Sequence, residues 1–172
     1  MSLSLPLRRP LPRKLVTAGL VAAVVAGGAG AAAVAAQPAG AAVPTCAASN
    51  LYLSMGRQDH GAGQLYWPIR FTNTGTGTCA LRGYPGVSVL DVAHRQIGPA
   101  AGRSGQSFST VTLRPAQTVS AVIHTTNGPI GGPCRPTGTY LRVYPPASHQ
   151  ALLVPASLRV CSNVFTVGPV SR

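Results

Sequence analysis

From Gln64 to Thr72 the apolar residues fall on every second position. Leu65, Trp67, Ile69 and Phe71 take one side, and Tyr66, Pro68, Arg70 and Thr72 take the other. Successive side chains of a strand point to opposite faces, so this run predicts a half-buried strand and no helix. The same grammar recurs along the chain. Asn50 to Met55 reads as a short strand, followed by a turn-rich Gly56 to Gly63. Gly86 to Asp91, Phe108 to Leu113, Thr118 to Thr125 and Thr139 to Tyr144 read as further strands, with Ala151 to Val154 as a short edge strand. Tyr84-Pro85-Gly86-Val87 suits a type II turn, with Pro presetting φ and Gly accepting a positive φ. The chain holds 20 Gly and 16 Pro, and beyond its N-terminal stretch no segment keeps apolar residues at i, i+3, i+4, i+7 over a helical length. Many short strands with turn signals between them predict an all-β fold, a β-sandwich.

The first segment stands apart. Residues 1–14 carry Arg8, Arg9, Arg13 and Lys14 and no acid, and Leu15 to Ala36 is uncharged and rich in Ala, Val and Gly. Ala33-Val34-Ala35 and Ala39-Gly40-Ala41 both present small residues at the spacing of a signal-peptidase site. A positive start, an apolar stretch and a cleavable end predict a secretory signal peptide. The expected organisation is a signal peptide over 1–36, cleaved within 35–42, a short linker over 37–45, and one sandwich domain over 46–170. The expected location is secreted, with no membrane contact after cleavage. The rival is an N-terminal anchor facing outside, because the apolar stretch is about long enough to span a bilayer. Gly19, Gly27, Gly28 and Gly30 make it a weak anchor. Arg8-Arg9 would suit a twin-arginine signal, but Pro10 and Pro12 break the surroundings. Val43-Pro44-Thr45 ahead of Cys46 fits lipid attachment poorly.

Cys46, Cys79, Cys134 and Cys161 all lie beyond that segment, with no C-x-x-C pair and no histidine at metal-ligand spacing. An even number of widely spaced cysteines in an exported chain predicts two disulfides, with no metal and no cofactor. Folding Asn50–Met55 on Gln64–Thr72 as a hairpin brings Cys46 to Cys79. Folding Thr139–Tyr144 on the stretch from Leu158 to Val167 brings Cys134 to Cys161. The favoured pairs are therefore Cys46–Cys79 and Cys134–Cys161.

Charge narrows the chemistry. The chain has 14 Lys and Arg against 2 Asp and no glutamate. The four basic residues of the first segment leave with it, so 10 arginines face Asp59 and Asp91, a net +8. Carboxylate-rich metal cages cannot be built from two acids, and a two-carboxylate glycosidase would need both. Nucleophilic catalysis needs a nucleophile, a base and an orienting group. His60, His94, His124 and His149 are available, yet no nucleophile signature accompanies them; Gly102-Arg103-Ser104-Gly105 resembles one only superficially. Asp59-His60 sits in a Gly-flanked turn, where Asp commonly bonds its own backbone. Gly61-Ala62-Gly63 and Gly75-Thr76-Gly77 have neither the lysine nor the helix of a phosphate loop. No catalytic residue is assigned, and the expectation is a non-catalytic module. The alternatives are a secreted hydrolase pairing an aspartate with a histidine, and an inhibitor or protein-interaction module using Asp59–Gly63 or Asn127–Gly132.

Arginine recurs about every dozen residues rather than in one stripe, which argues against nucleic acid. An anionic cell-wall polymer or an envelope protein suits a basic exported chain better. Tyr140, Arg142 and Tyr144 share one strand face, and Tyr66 and Arg70 another. Tyrosine and arginine favour binding surfaces, so these five form the candidate binding face.

The motifs Phe71-Thr72-Asn73-Thr74-Gly75 and Cys79-Ala80-Leu81-Arg82-Gly83-Tyr84-Pro85-Gly86-Val87 resemble a secreted actinobacterial family, domain of unknown function 4232. Val111-Thr112-Leu113-Arg114-Pro115, Cys134-Arg135-Pro136, Tyr144-Pro145-Pro146 and Cys161-Ser162 extend the resemblance from Cys46 to about Pro169. It implies a disulfide-stapled, immunoglobulin-like β-sandwich at or outside the membrane, and it carries over no activity and no catalytic residue. One departure is Ala116, where the family usually has a turn glycine, which points to a turn of another type.

Overall fold

A computed structural model describes residues 42–172. The signal-peptide expectation and most of the expected linker lie outside the described residues. The fold takes in the last two linker residues, since Ala80 N donates to Pro44 O (2.8 Å) and Cys46 N to Ala80 O (3.0 Å). Among the described residues no helix is long and apolar enough to cross a membrane, and a 3-10 turn over Ala48–Asn50 precedes the first strand.

The molecule is all-β, with its sheets arranged as a sandwich. The larger sheet is ordered β1 (Leu51–Met55), β3 (Gln64–Asn73), β8 (Thr118–Thr126), β11 (Thr166–Val167), β6 (Gly102–Arg103), with β2 (Asp59–Gly61) paired to the free end of β3. A second sheet is ordered β10 (Leu152–Pro155), β9 (Tyr140–Tyr144), β5 (Gly86–Leu90), and β4 (Cys79–Arg82) pairs with β7 (Thr110–Leu113). The period-two reading of β3 holds. Leu65, Ile69 and Phe71 are buried with Trp67 packed against the core, while Tyr66 and Arg70 point out. Val119, Ala121 and Ile123 from β8 meet Val87, Val89, Leu141, Val143 and Val154 from the second sheet in one core cluster. Each such large side chain contributes about 1.5–3 kcal/mol by leaving water. Trp67 keeps its indole N–H satisfied by donating to Gly56 O (2.8 Å).

Asn73 is a buried polar side chain at the end of β3 (1% exposed). Its Nδ2 donates to Gly77 O (2.9 Å) and Leu113 O (3.1 Å), and its Oδ1 accepts from Gly75 N (2.9 Å). One side chain thus joins β3, the 74–78 loop and the end of β7.

Three local expectations change. Asp59 and His60 lie in β2, opposite Tyr66 and Leu65, because Ala62 (φ 46°) and Gly63 (φ 76°) form the hairpin turn one step later. Two consecutive positive φ values are what a two-residue hairpin loop requires. Gly86 is not a turn residue. It opens β5 opposite Tyr144, and the left-handed position is Gly83 (φ 99°). At Arg114–Gln117, Gln117 N donates to Arg114 O (3.0 Å) and Ala116 has φ 63°. That is the geometry of a type II turn with Pro115 second and Ala116 third, so alanine takes up the backbone state of a turn glycine.

The disulfides are Cys46–Cys79 and Cys134–Cys161. The first sits beside the β1–β3 hairpin, where Thr45 bridges Ala80. The second is reached differently from the hairpin expected for it. β9 pairs with β5 and β10, while 133–138 runs against 158–162 through Arg135 N to Val160 O, Gly138 N to Leu158 O and Ser162 N to Pro133 O.

Candidate functional site: a groove on the outer face of the larger sheet

Directly opposed residues of neighbouring strands share a face, so the register lays out the outer surface in rows. Asp59, Tyr66, His124 and Thr166 form one row across β2, β3, β8 and β11. Pro68 and Val122 form the next, continued by Gly168, whose N–H donates to Val122 O (2.8 Å). Ser54, Arg70, Ser120 and Ser171 form a third, and Tyr52, Thr72 and Thr118 a fourth. After β6 the chain continues along β11, with Ser104 N donating to Val167 O (3.0 Å). It then rises over the sheet as the 104–109 segment.

Between that segment and β3 lies an open groove of about 380 Å³, lined by Tyr66, Val122, His124, Thr166, Gly168 and Ser171 on the sheet and by Ser104 and Gln106 on the segment. A second cavity of about 480 Å³ adjoins it and shares Gln106, Val122, Gly168 and Ser171. A third, of about 400 Å³, continues past Ser171 to Phe108 and Arg172. Tyr66 stacks on His124 with ring centroids 4.7 Å apart and planes within 16°. His124 Nε2 lies 2.6 Å from Gln64 Oε1, and its Nδ1 3.5 Å from Thr166 Oγ1. With the Gln64 oxygen accepting, the ring proton sits on Nε2 and Nδ1 is left to accept from Thr166.

The far wall is held from behind. Tyr84 Oη donates to Gln106 O. Tyr84 and Phe108 meet edge-to-face at 5.6 Å, Arg103 lies over the Tyr84 ring at 5.7 Å, and Arg82 lies over Phe108 at 5.0 Å. A Cβ on Gly168 would come within 3.3 Å of Gln106 Oε1. The missing side chain at Gly168 therefore lets the Gln106 amide lie across the groove floor.

The five residues of the candidate face divide between the two sheets. Tyr66 and Arg70 stand on the outer face of the larger sheet, Tyr66 in the groove. Tyr140, Arg142 and Tyr144 stand on the outer side of β9, where the 91–96 loop covers part of them. His94 meets the Tyr140 ring edge-on at 5.0 Å, and Arg142 Nη2 donates to Gln96 Oε1 (2.8 Å).

Asp91 organises that loop. Its Oδ1 accepts from Ala93 N (2.8 Å) and Arg95 N (2.9 Å), and its Oδ2 accepts from Arg95 Nε (2.8 Å). The Arg95 amide above all, helped by the Arg95 guanidinium and the Ala93 amide, holds the Asp91 carboxyl below its ordinary value against the opposing effect of desolvation. Asp59 is exposed in β2, and neighbouring His60 has its Nε2 3.1 Å from Gln58 Oε1. Among the described residues the histidine rings bond to Gln58, Gln64 and Thr166 rather than to an aspartate. No group of three or more His, Cys, Asp or Glu among them is placed to hold a metal ion.

The loops named for a protein-interaction role lie side by side, since Asn127 N donates to Gly63 O (2.8 Å) and Ile130 packs against Gly63. The arginines do not gather on one face. Eight are exposed, Arg135 and Arg142 are half-buried, and Arg95 alone forms an ion pair among the described residues.

The residues that sequence reasoning missed are Gln106, Val122, Thr166 and Gly168. Val122 carried a signal, as an apolar residue on the polar side of the β8 alternation. The others come from two distant stretches, the 104–109 segment and the chain from Thr166 to Gly168, which only the sheet order brings together.

A disulfide-stapled β-sandwich with a groove across one sheet is the class of protein that this geometry defines. The chain belongs to the family described as domain of unknown function (DUF4232), whose family model matches residues 46–171. No curated protein matches the chain. Among solved structures, the chain is similar to β-glucosidase from Kluyveromyces marxianus in two crystal structures. In the selenomethionine-labelled form the identity is 14%, over 69% of this chain and 14% of that one, with a TM-score of 0.37. In the glucose complex it is 13%, over 69% and 15%, with a TM-score of 0.36. The chain thus spans about one seventh of that enzyme's length.

Proposed function

We propose that this protein is an exported, non-catalytic binding module of the cell envelope, held at anionic wall polymer by its arginines. The observation that carries the reading is the surface charge: ten arginines, eight of them exposed, face two aspartates, one already paired with Arg95. Such a surface attracts polyanions from all sides, and the attraction is screened by salt. Two disulfides suit a protein that works in an oxidising place. Asp91 is occupied in organising its loop, which leaves Asp59 as the one carboxylate free for other work.

Sedimentation of the purified protein with cell walls, with and without their anionic polymers, tests this. Binding at low ionic strength that falls steeply towards about 0.5 M salt, and that drops when the polymers are stripped, is expected. Failure to bind polymer-bearing walls at any salt concentration sinks the reading.

A second reading, a protein-interaction module, is favoured by the joined loops 59–63 and 127–132, where Ile130 is 55% exposed. Under it, Ile130→Asp abolishes capture of a defined envelope partner and leaves wall sedimentation unchanged.

A further inference from the structure

Within the binding reading above, on which this rests, we propose that the groove beside Tyr66 is a saccharide subsite, taking one or two neutral sugar rings of the polymer that the arginines attract. Its lining has the chemistry for that and for little else. Tyr66 is 41% exposed and Val122 37%, which gives an aromatic and an apolar surface for the C–H face of a ring. Ser104, Gln106, Thr166 and Ser171 offer hydroxyls and an amide that both donate and accept, as a row of sugar hydroxyls requires. None of the lining residues carries a fixed charge. A phosphate or carboxylate would find no countercharge inside, and an acyl chain would lie against the polar side chains of Ser104, Gln106, Thr166 and Ser171.

Size and rigidity agree. A cleft of about 380 Å³ lies in the range that small ligands occupy. The adjoining 480 Å³, reached past Gln106, leaves room for a second ring. Tyr66 is braced by the His124 ring and His124 by Gln64 and Thr166, while Tyr84 holds the Gln106 backbone carbonyl and Ser104 Oγ donates to Gln106 Oε1 (3.2 Å). Tyr66 and His124, locked on β3 and β8 in this way, lose little freedom when a ligand arrives. The arginines lie outside the groove, which divides the labour: charge recruits the polymer, and the groove holds a neutral ring.

The test is an NMR titration of the purified protein with neutral trisaccharides built from glucose, mannose, galactose or N-acetylglucosamine. At least one is expected to shift the Tyr66 and His124 ring signals saturably. Tyr66→Ala and Gln106→Ala should each weaken that binding by roughly tenfold. Tyr52→Ala, at an exposed tyrosine on the same sheet face outside the groove, should leave it unchanged. Binding of no trisaccharide up to about 10 mM overturns the subsite, as does Tyr52→Ala weakening binding as much as Tyr66→Ala. If walls still sediment the protein at low salt when no sugar binds, the subsite alone fails. If a sugar binds but walls do not, the electrostatic reading fails and the subsite stands.

Discussion

Asn73 shows how much one polar side chain holds in place in a small sandwich. Its amide satisfies the buried Leu113 carbonyl and, in the loop between β3 and β4, the Gly77 carbonyl and the Gly75 N–H, tying β3 to β7 and to that loop. Removing it leaves the buried Leu113 carbonyl without a partner, at about 1–3 kcal/mol, and frees the loop that the other two bonds hold. Asn73→Ala is expected to lower stability by about 2–4 kcal/mol in urea unfolding; a loss below 0.5 kcal/mol would mean that water replaces the amide at little cost. The motif Phe71-Thr72-Asn73-Thr74-Gly75 was legible as a signature, but the job of its asparagine was not, because Leu113 lies 40 residues away. Ala116 makes a related point. Its substitution for a turn glycine suggested another turn, yet Pro115 and the surrounding strands hold the alanine at φ 63°. An isolated left-handed residue costs only about 1–2 kcal/mol, less than the pairing that it preserves.

At the scale of elements, alternation placed the strands well. The strand readings Asn50–Met55, Gln64–Thr72, Thr118–Thr125 and Thr139–Tyr144 fall within a residue of observed strands, while β2 lies inside the stretch read as turn. What alternation lacked was pairing. The connection at 114–117 does not fold β7 onto β8; it carries the chain from the partner of β4 to the partner of β3. Likewise Cys134 meets Cys161 through the 133–138 and 158–162 segments, the first of which has two prolines and too few apolar residues to read as a strand. With its cysteines 27 positions apart, this disulfide removes about 3–4 kcal/mol of unfolded-state entropy in the chain-entropy picture. The double variant Cys134→Ser, Cys161→Ser should lose about that much in chemical denaturation and release the 127–132 loop to proteolysis. Unchanged stability would place the staple's effect in folding rather than in the folded state.

At the scale of the molecule, ten arginines spread around the sandwich meet two aspartates and make one ion pair among the described residues. Repulsion then outweighs attraction, and screening it should help the fold. Raising sodium chloride from about 10 mM to 150 mM shortens the screening length from about 30 Å to 8 Å. The melting temperature should rise by a few degrees over that range; a fall would mean that ion pairs dominate after all. The sequence by itself determined the all-β class, the inner and outer faces of β3, β8 and β9, and the surplus of positive charge, because each follows from residue type and a period of two. Only the tertiary structure decided the groove. Tyr66, Gln106, Val122 and Gly168 come from four separate segments, and their meeting depends on β11 pairing with β8 and on Tyr84 holding the 104–109 segment above the sheet. Long-range pairing is set by the packing of a shared core, to which no local pattern gives access.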